Sequence, residues 1–329
     1  MILTIAIPVF NGEKNLHNTL DSIFISLPEQ CEVVVSDNAS TDLTSQIALD
    51  YQSRYSNVIR YHANKENVGY DKNIDILFEK SFGTYVWLLG CGEKIKKGSL
   101  NKIIQQIQTQ DFDVAVLNFD IFSENNGNLE KKLAYPIQNI LHTYEAGDFS
   151  FPRYSPAVSA NIIKKTSWQS IKDIPLIENG WCHVERIFSI IGHQNFKSSV
   201  YIGDPCFTLF RDINGWWTRP DSYLLLLLLR HINIIRSIPQ RGLSVSVARM
   251  LEKKQVRWAL LMAVIQSKSY GLKLSRKLLM VMVLNFWRRP FFWFLVFPSL
   301  FIPSFCFVGL RKTQDLYRKF FNKRMHIFQ

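Results

Sequence analysis

The sequence predicts an α/β fold: a mostly parallel sheet flanked by helices, followed by a helical, basic and hydrophobic C-terminal region. Three observations carry this. Through the first hundred residues, short apolar runs alternate with segments of three-to-four apolar spacing, the rhythm of a parallel sheet covered on both faces. From Tyr223 onward the pattern is helical throughout. The charge is also unevenly placed: the 329 residues carry a net +12, yet residues 241–329 hold 17 Lys or Arg against two acids, while the first 240 hold 22 against 25.

In order, LTIAIPVF is a strand with Asn11 and Gly12 as its turn, and NLHNTLDSIFIS is a helix through Leu16, Leu20, Ile23 and Phe24. CEVVVSDNAS is a strand ending in a polar loop, and TDLTSQIALDYQSRY the helix after it. VIRYHAN, GYDKNIDILFEKS and TYVWLLG continue as strand, helix and strand. After the helix SLNKIIQQIQTQ, DVAVLNFDIFS is a strand and ENNGNLEKK an exposed loop. Residues 148–215 are less regular, with elements expected at Ser155–Asn161, Trp181–Gly192 and Val200–Phe210. Helices follow in YLLLLLLRHINIIR, ARMLEKKQVRWALLMAVIQSK and LSRKLLMVMVLNFW; the six consecutive leucines predict a helix buried on more than one side.

The tail holds the largest apolar block. PFFWFLVFPSLFIPSFCFVGL, Pro290 to Leu310, is uncharged and bounded by Arg288, Arg289, Arg311 and Lys312. A bilayer surface supplies both an apolar acceptor and anionic head groups for such a segment. Its length just reaches that of a spanning helix, but Pro298 and Pro303 favour broken, re-entrant or interfacial helices. The division expected is therefore a catalytic-type domain over 1–220 and a membrane-associating helical region over 221–329. The N-terminus has the character of a first strand and lacks a secretory pattern. Five scattered cysteines argue for a reducing compartment and against a zinc knuckle or disulfide scaffold.

Sheets of this kind carry their chemistry at the carboxyl ends of the strands. That rule selects Pro8–Glu13, Asp37–Asp42, Asn64–Asn73 and Gly90–Glu93. Asp37 and Asp42, in SDNASTD, suit hydrogen bonds to a nucleobase or ribose, and equally suit turn and capping chemistry. Gly69 lets backbone approach a ligand, and Lys72 with the helix-start amides suits a diphosphate. The chain has neither the GxGxxG of a dinucleotide fold nor the GK[ST] of a P-loop.

The ordered set IPVFNGEKNLHNTLDSI, VVVSDNASTDLT, NKENVGYDKNIDI and GTYVWLLGCGEKI resembles the family 2 glycosyltransferases, which have the nucleotide-sugar-binding GT-A fold. The match covers residues 1–100 well. It extends loosely to Phe210 in the branch of bacterial surface-polysaccharide and O-antigen transferases of the abequosyltransferase type, which build repeat units on a lipid carrier. The resemblance implies that Pro8, Phe10, Asn11 and Glu13 after the first strand, with Asp37 and Asn38, hold the nucleoside. It further implies that Gly69, Lys72, Asn73 and Gly90 flank the nucleotide of a nucleotide-diphosphate sugar, and that the acidic strand end binds Mg²⁺ or Mn²⁺. Where that family has two or three aspartates, this chain has Cys91, Gly92 and Glu93. One carboxylate, Glu93, is compatible with Mg²⁺, whereas a thiol prefers softer metals. Three readings stay open: a cation held by Glu93 alone, a metal-independent enzyme using Lys or Arg, and a scaffold without activity.

Inverting transfer needs a base for the acceptor hydroxyl. The candidates in IENGWCHVERI are Glu185, His183 and Glu178; Trp181, Trp216 and Trp217 suit stacking on a sugar. The implied partners are a nucleotide-sugar donor, a lipid-linked saccharide acceptor and the cytoplasmic face of the bacterial inner membrane. A nucleotidyl transferase is disfavoured because IPVFNGEKN is not a glycine-rich basic loop, and nucleic acid because the positive charge accompanies a bilayer-grade apolar block.

Overall fold

The computed structural model describes residues 1–125, 128–135, 141–144, 155–177, 180–211, 223–269, 272 and 274–307. The expected alternation is present as β1 (Leu3–Val9), α1 (Leu16–Phe24), β2 (Cys31–Asp37), α2 (Thr44–Arg54), β3 (Ile59–Ala63), α3 (Tyr70–Lys80) and β4 (Tyr85–Leu88). These strands pair in parallel in the order β3-β2-β1-β4. Every residue of β2 and β4 is buried, as apolar strands covered on both faces require.

The second half makes the sheet mixed. β5 (Lys94–Ile95), α4 (Ser99–Thr109), β6 (Val114–Asn125), β7 (Asn128–Leu133), β8 (Leu141–Tyr144), β9 (Asn161–Lys164), α5 (Lys165–Ser170), α6 (Cys182–Ile191) and β10 (Ser199–Arg211) follow. β9 runs antiparallel between β4 and β6, while β10 returns parallel to β6. The ENNGNLEKK segment is corrected: Glu124 and Asn125 end β6, and from Asn128 it runs in strand β7, paired antiparallel with β6 from Asn125↔Asn128. The two residues between those strands are Asn126 and Gly127, the composition that favours a two-residue hairpin.

Contacts divide the chain into two units: residues 1–211 with 237–247, and residues 212–236 with 248–329. The boundary expected at 220/221 falls in 212–222, outside the described residues. The first unit is centred on one apolar core in which Leu3, Ile5, Ile7, Val33, Val35, Trp87, Leu117 and Phe207 are fully inaccessible. The segment 237–247 belongs to it through Arg241, whose guanidinium pairs with Glu185 at 2.5 Å and donates to Ser189 Oγ at 2.7 Å.

The second unit holds α7 (Tyr223–Ser237) up to Arg236 and α8 (Val245–Ser269) from Ala248, with α9 (Arg276–Phe286) and α10 (Phe297–Phe301), around Ile232, Leu260, Val264, Met282, Phe286 and Phe292. The side chains of the leucine run lie outside the described residues, except Leu229, which is buried. The Pro290 segment is broken, as its prolines predict: a π-helical turn at Phe292–Val296 leads into α10, and the chain turns extended at Ile302 before Pro303. Among the described residues, no helix is long and apolar enough to cross a membrane.

Candidate functional site: the strand-end loops

The carboxyl ends of β1 to β4 converge, and their loops are knitted by side chains. Asn11, in a left-handed conformation at φ 52°, accepts the Thr41 amide at 2.9 Å and donates its own amide to Ser40 Oγ at 2.8 Å. The Glu13 amide donates to Asp42 at 3.1 Å, and the Glu13 carboxylate accepts the Leu43 amide at 3.2 Å. Asp42 also accepts the amide and hydroxyl of Thr44; although burial works the other way, these bonds hold its carboxyl below the usual range.

Deeper in, Asp37 accepts the Ser40 amide at 2.9 Å and the Tyr61 hydroxyl at 2.7 Å. Asn38 accepts from Asn64 and Val68 and donates to Asn67, while Asn73 accepts the Ser36 hydroxyl and donates to the Ser36 carbonyl. All three are at most 5% exposed. Their polar groups are spent on holding the strand-end loops in shape, so the loops they fix, more than these side chains, are what a ligand would meet. Phe10 is 51% exposed, and Lys72 is exposed with no carboxylate partner among the described residues. Gly69 caps α3 at φ 85°, a conformation costly for any residue with a Cβ.

At the end of β4, Gly90 donates its amide to Ser159 Oγ at 2.8 Å, and its missing side chain leaves room for Glu93. A Cβ there would stand 3.3 Å from the Glu93 carboxyl carbon. The Glu93 carboxyl is bonded to Ser159, yet its Oε2 is buried without a partner, and burial pushes its pKa up to about 7. The neighbouring Cys91 thiol is pushed up to about 12, first by burial and then by Asp42 and Glu93, so it stays protonated at neutral pH, and its soft sulfur suits a hard Mg²⁺ or Mn²⁺ poorly. Among the described residues, no three His, Cys, Asp or Glu side chains group to hold a metal. Glu93 Oε2 is still the right kind of atom: a buried, unsatisfied carboxylate oxygen that fits one position of an Mg²⁺ or Mn²⁺ shell completed by phosphates and water.

The acceptor-side candidates separate. Glu185 is fully buried, with Oε2 accepting Arg241 and the Ile177 amide at 2.8 Å. The structure places Glu185, expected as a base, in a buried ion pair whose partner Arg241 is 2% exposed, so its carboxylate is held by the fold. His183 is 3% exposed, and its Nε2 lies 3.2 Å from the Pro156 carbonyl, which can only accept. That bond fixes the proton on Nε2 and leaves Nδ1 as a buried, unpartnered lone pair. Burial lowers the His183 pKa to about 4, so the ring is neutral. Trp181 is buried with its ring 6.0 Å from His183, and is no open sugar platform. Glu178, Trp216 and Trp217 lie outside the described residues.

Three residues missed in the sequence complete the site. Ser159 joins Gly90 to Glu93, and its carbonyl accepts Trp87 Nε1 at 2.7 Å. Asp71 accepts the amides of Gly180 and Cys182 at the start of α6. Tyr70 lies between the two halves: burial, then Cys182, Asp71 and Glu93, push its phenol well above the ordinary range.

A family model described as Glycosyl transferase family 2 matches residues 4–211. The chain belongs to glycosyl transferase family 2. Among curated relatives in the family, it is 25% identical over 161 residues to glycosyltransferase GlyG of Streptococcus pneumoniae serotype 4, spanning 46% of this chain and 52% of GlyG. It is 31% identical over 102 residues to abequosyltransferase RfbV of Salmonella typhimurium, covering 30% of this chain and 31% of RfbV. The chain thus spans about half or less of these relatives' lengths.

The fold matches that of S. aureus TarS 1-349 in complex with UDP, with a TM-score of 0.62, 17% identity and coverage of 84% of this chain and 77% of that one. It also matches the mannosyltransferase PcManGT from Pyrobaculum calidifontis in complex with GDP-Man and Mn2+, with a TM-score of 0.55, 11% identity and coverage of 98% and 88%. These likenesses establish the family 2 chain as a GT-A fold.

Proposed function

We propose that the protein transfers a sugar from a nucleotide-diphosphate donor to a lipid-linked saccharide acceptor, with inversion, in bacterial surface-polysaccharide (O-antigen or capsule) assembly at the cytoplasmic face of the inner membrane. The observation that carries this is the convergence, at the carboxyl ends of the strands, of hydrogen-bonded loops, a lysine without a carboxylate partner among the described residues and the orphaned Glu93 oxygen. Phe10 and the loops framed by Asp37 and Asn38 suit a nucleoside, and Lys72 with the start of α3 suits the diphosphate. Glu93 Oε2 would hold a divalent cation; bound there, it would neutralise charge on the departing diphosphate.

In the reaction, the acceptor oxygen attacks the anomeric carbon as the carbon–oxygen bond to the diphosphate breaks, and the acceptor proton passes to a base. His183 takes that role through Nδ1, already neutral and with its tautomer set by Pro156. The exposed apolar tail supports a lipid-borne acceptor.

A second reading, a membrane-associated scaffold without turnover, draws on the single carboxylate of the CGE segment. Titration calorimetry of UDP-, GDP-, dTDP- and CDP-sugars, with Mn²⁺ or EDTA, on wild type and Glu93→Ala tests both. Cation-dependent binding lost in the variant supports the transferase reading. Binding indifferent to EDTA and to the substitution removes the cation from it, and folded protein that binds no donor favours the scaffold.

A further inference from the structure

The chain after α9 is apolar on every side. Phe292, Val296 and Leu300, spaced four apart, are at most 1% exposed in the C-terminal core beside Met282 and Phe286. One residue further round, Trp293, Phe297 and Phe301 form a row with successive ring centroids 4.9 and 5.1 Å apart. Outside that row, Phe294 is 80% exposed and Phe305 76%. A segment apolar all round needs an apolar medium on both sides. The protein provides one of them.

The preceding helix extends the same surface. Met280, Leu284 and Trp287 recur on one face of α9 and its C-cap, each more than half exposed. Trp293 donates from Nε1 to the Trp287 carbonyl at 2.7 Å, which joins the two parts. Cations surround this surface: Arg276, Lys277, Arg288 and Arg289 are all exposed. Arg288 lies 4.7 Å over the Trp287 ring, and Arg289 reaches Glu252 at 3.1 Å. Glu252 is the one acid in the sequence from 248 to 307, and it is buried and already paired with Arg236.

We propose that this surface docks on an anionic bilayer. Trp287, Trp293, Phe294 and Phe305 enter the boundary between head groups and acyl chains, and Arg276, Lys277 and Arg288 lie against the lipid phosphates. Tryptophan backed by arginine matches that boundary, where an amphipathic ring finds apolar and wet surroundings together. Charge selects the occupant: a second copy placed by two-fold symmetry would set one basic rim against another, whereas phosphatidylglycerol or cardiolipin complements it. Docking in the plane of the interface also suits turns as short as Phe292–Val296 and Phe297–Phe301. The inference deepens the proposed acceptor reading, because a surface-docked enzyme meets a lipid-borne saccharide, but its test requires no turnover.

The full-length protein is mixed with phosphatidylcholine vesicles, with or without phosphatidylglycerol, and followed by flotation and tryptophan emission. The expected result is flotation with a blue-shifted emission on anionic vesicles only, weakened by high salt. Phe294→Ser with Phe305→Ser reduces partitioning at least about tenfold, and Arg276→Ala with Arg288→Ala removes the preference for anionic lipid, both with unchanged circular dichroism. Absence of flotation by folded wild-type protein overturns the proposal. So does flotation that the serine pair leaves untouched, or a dimer in sedimentation that the serine pair dissolves while vesicles go unbound. Calorimetry of donor sugars on the same samples separates the two readings: vesicle binding without donor binding retains the docking surface and removes the transferase function.

Discussion

The carboxylate of Asp71, on α3, accepts the backbone amide of Cys182 at 3.2 Å, and that of Gly180 at 2.7 Å. Helix α6 has no side-chain cap of its own, so a residue from another helix satisfies its first turn and complements its dipole. The same turn of α3 carries Lys72 and Asn73, with Asn73 bonded to Ser36 at the end of β2. The donor-side loops and the segment bearing His183 therefore hang on one helical turn.

Asp71→Asn keeps the shape but leaves one of the two amides without its charged acceptor. Turnover is expected to fall about 10- to 100-fold through displacement of the α6 start, with donor affinity within about twofold of wild type. Steady-state kinetics beside calorimetry checks this; an equal loss in both would place the effect in the fold as a whole.

Glu185→Gln removes one charge of a buried pair and strands Arg241. Chemical denaturation should show a loss of about 3–5 kcal/mol, largely recovered when Arg241→Met is added. Stability unchanged but turnover abolished would instead make Glu185 the base.

In the proposed role of base, His183 would set the acid limb of the pH profile. Burial lowers its pKa to about 4, so the imidazole stays in its basic form well below its ordinary 6.5. Turnover should hold as pH falls through 6 and decline toward about 4, and His183→Ala should keep donor binding while losing turnover about 10²- to 10⁴-fold. The same shift has a stability sign. Between 6.5 and about 4 the unfolded chain binds a proton that the folded one refuses, so this residue's contribution falls as pH drops through that window. Thermal melts of wild type against His183→Ala read that slope.

Gly90→Ala presses a methyl group 3.3 Å from the Glu93 carboxyl carbon. The side chain gives way by tenths of an ångström, so the fold should persist while cation-dependent donor affinity falls about tenfold, the effect of removing one charge-assisted bond. Calorimetry with and without Mn²⁺ measures it.

Much of the site was legible because it is local. Strands ending in polar loops, with Gly69 before a helix and Gly90 closing a strand, show the strand-end edge in the bare chain. Asp71 was not legible, since an acid in the first turn of a helix already serves its own helix dipole, and its bond to Cys182 spans 111 residues. Ser159 gave little signal either; its SPAVSAN context shows a buried element nearby but not which loop it meets. The β7 strand did have a signal in Asn126-Gly127, outweighed by the polar residues around it.

Periodicity, turn residues and charge placement thus determined the α/β core, the edge where chemistry collects and the basic apolar tail, because each depends on neighbours a few residues apart. The tertiary structure alone decided that Glu185 belongs to Arg241, that His183 keeps a free lone pair, and that the Glu93 carboxyl stands buried with one oxygen unmet. The pKa and availability of an ionisable group are set by the volume it shares with distant parts of the chain, and spacing along the sequence carries no record of that volume.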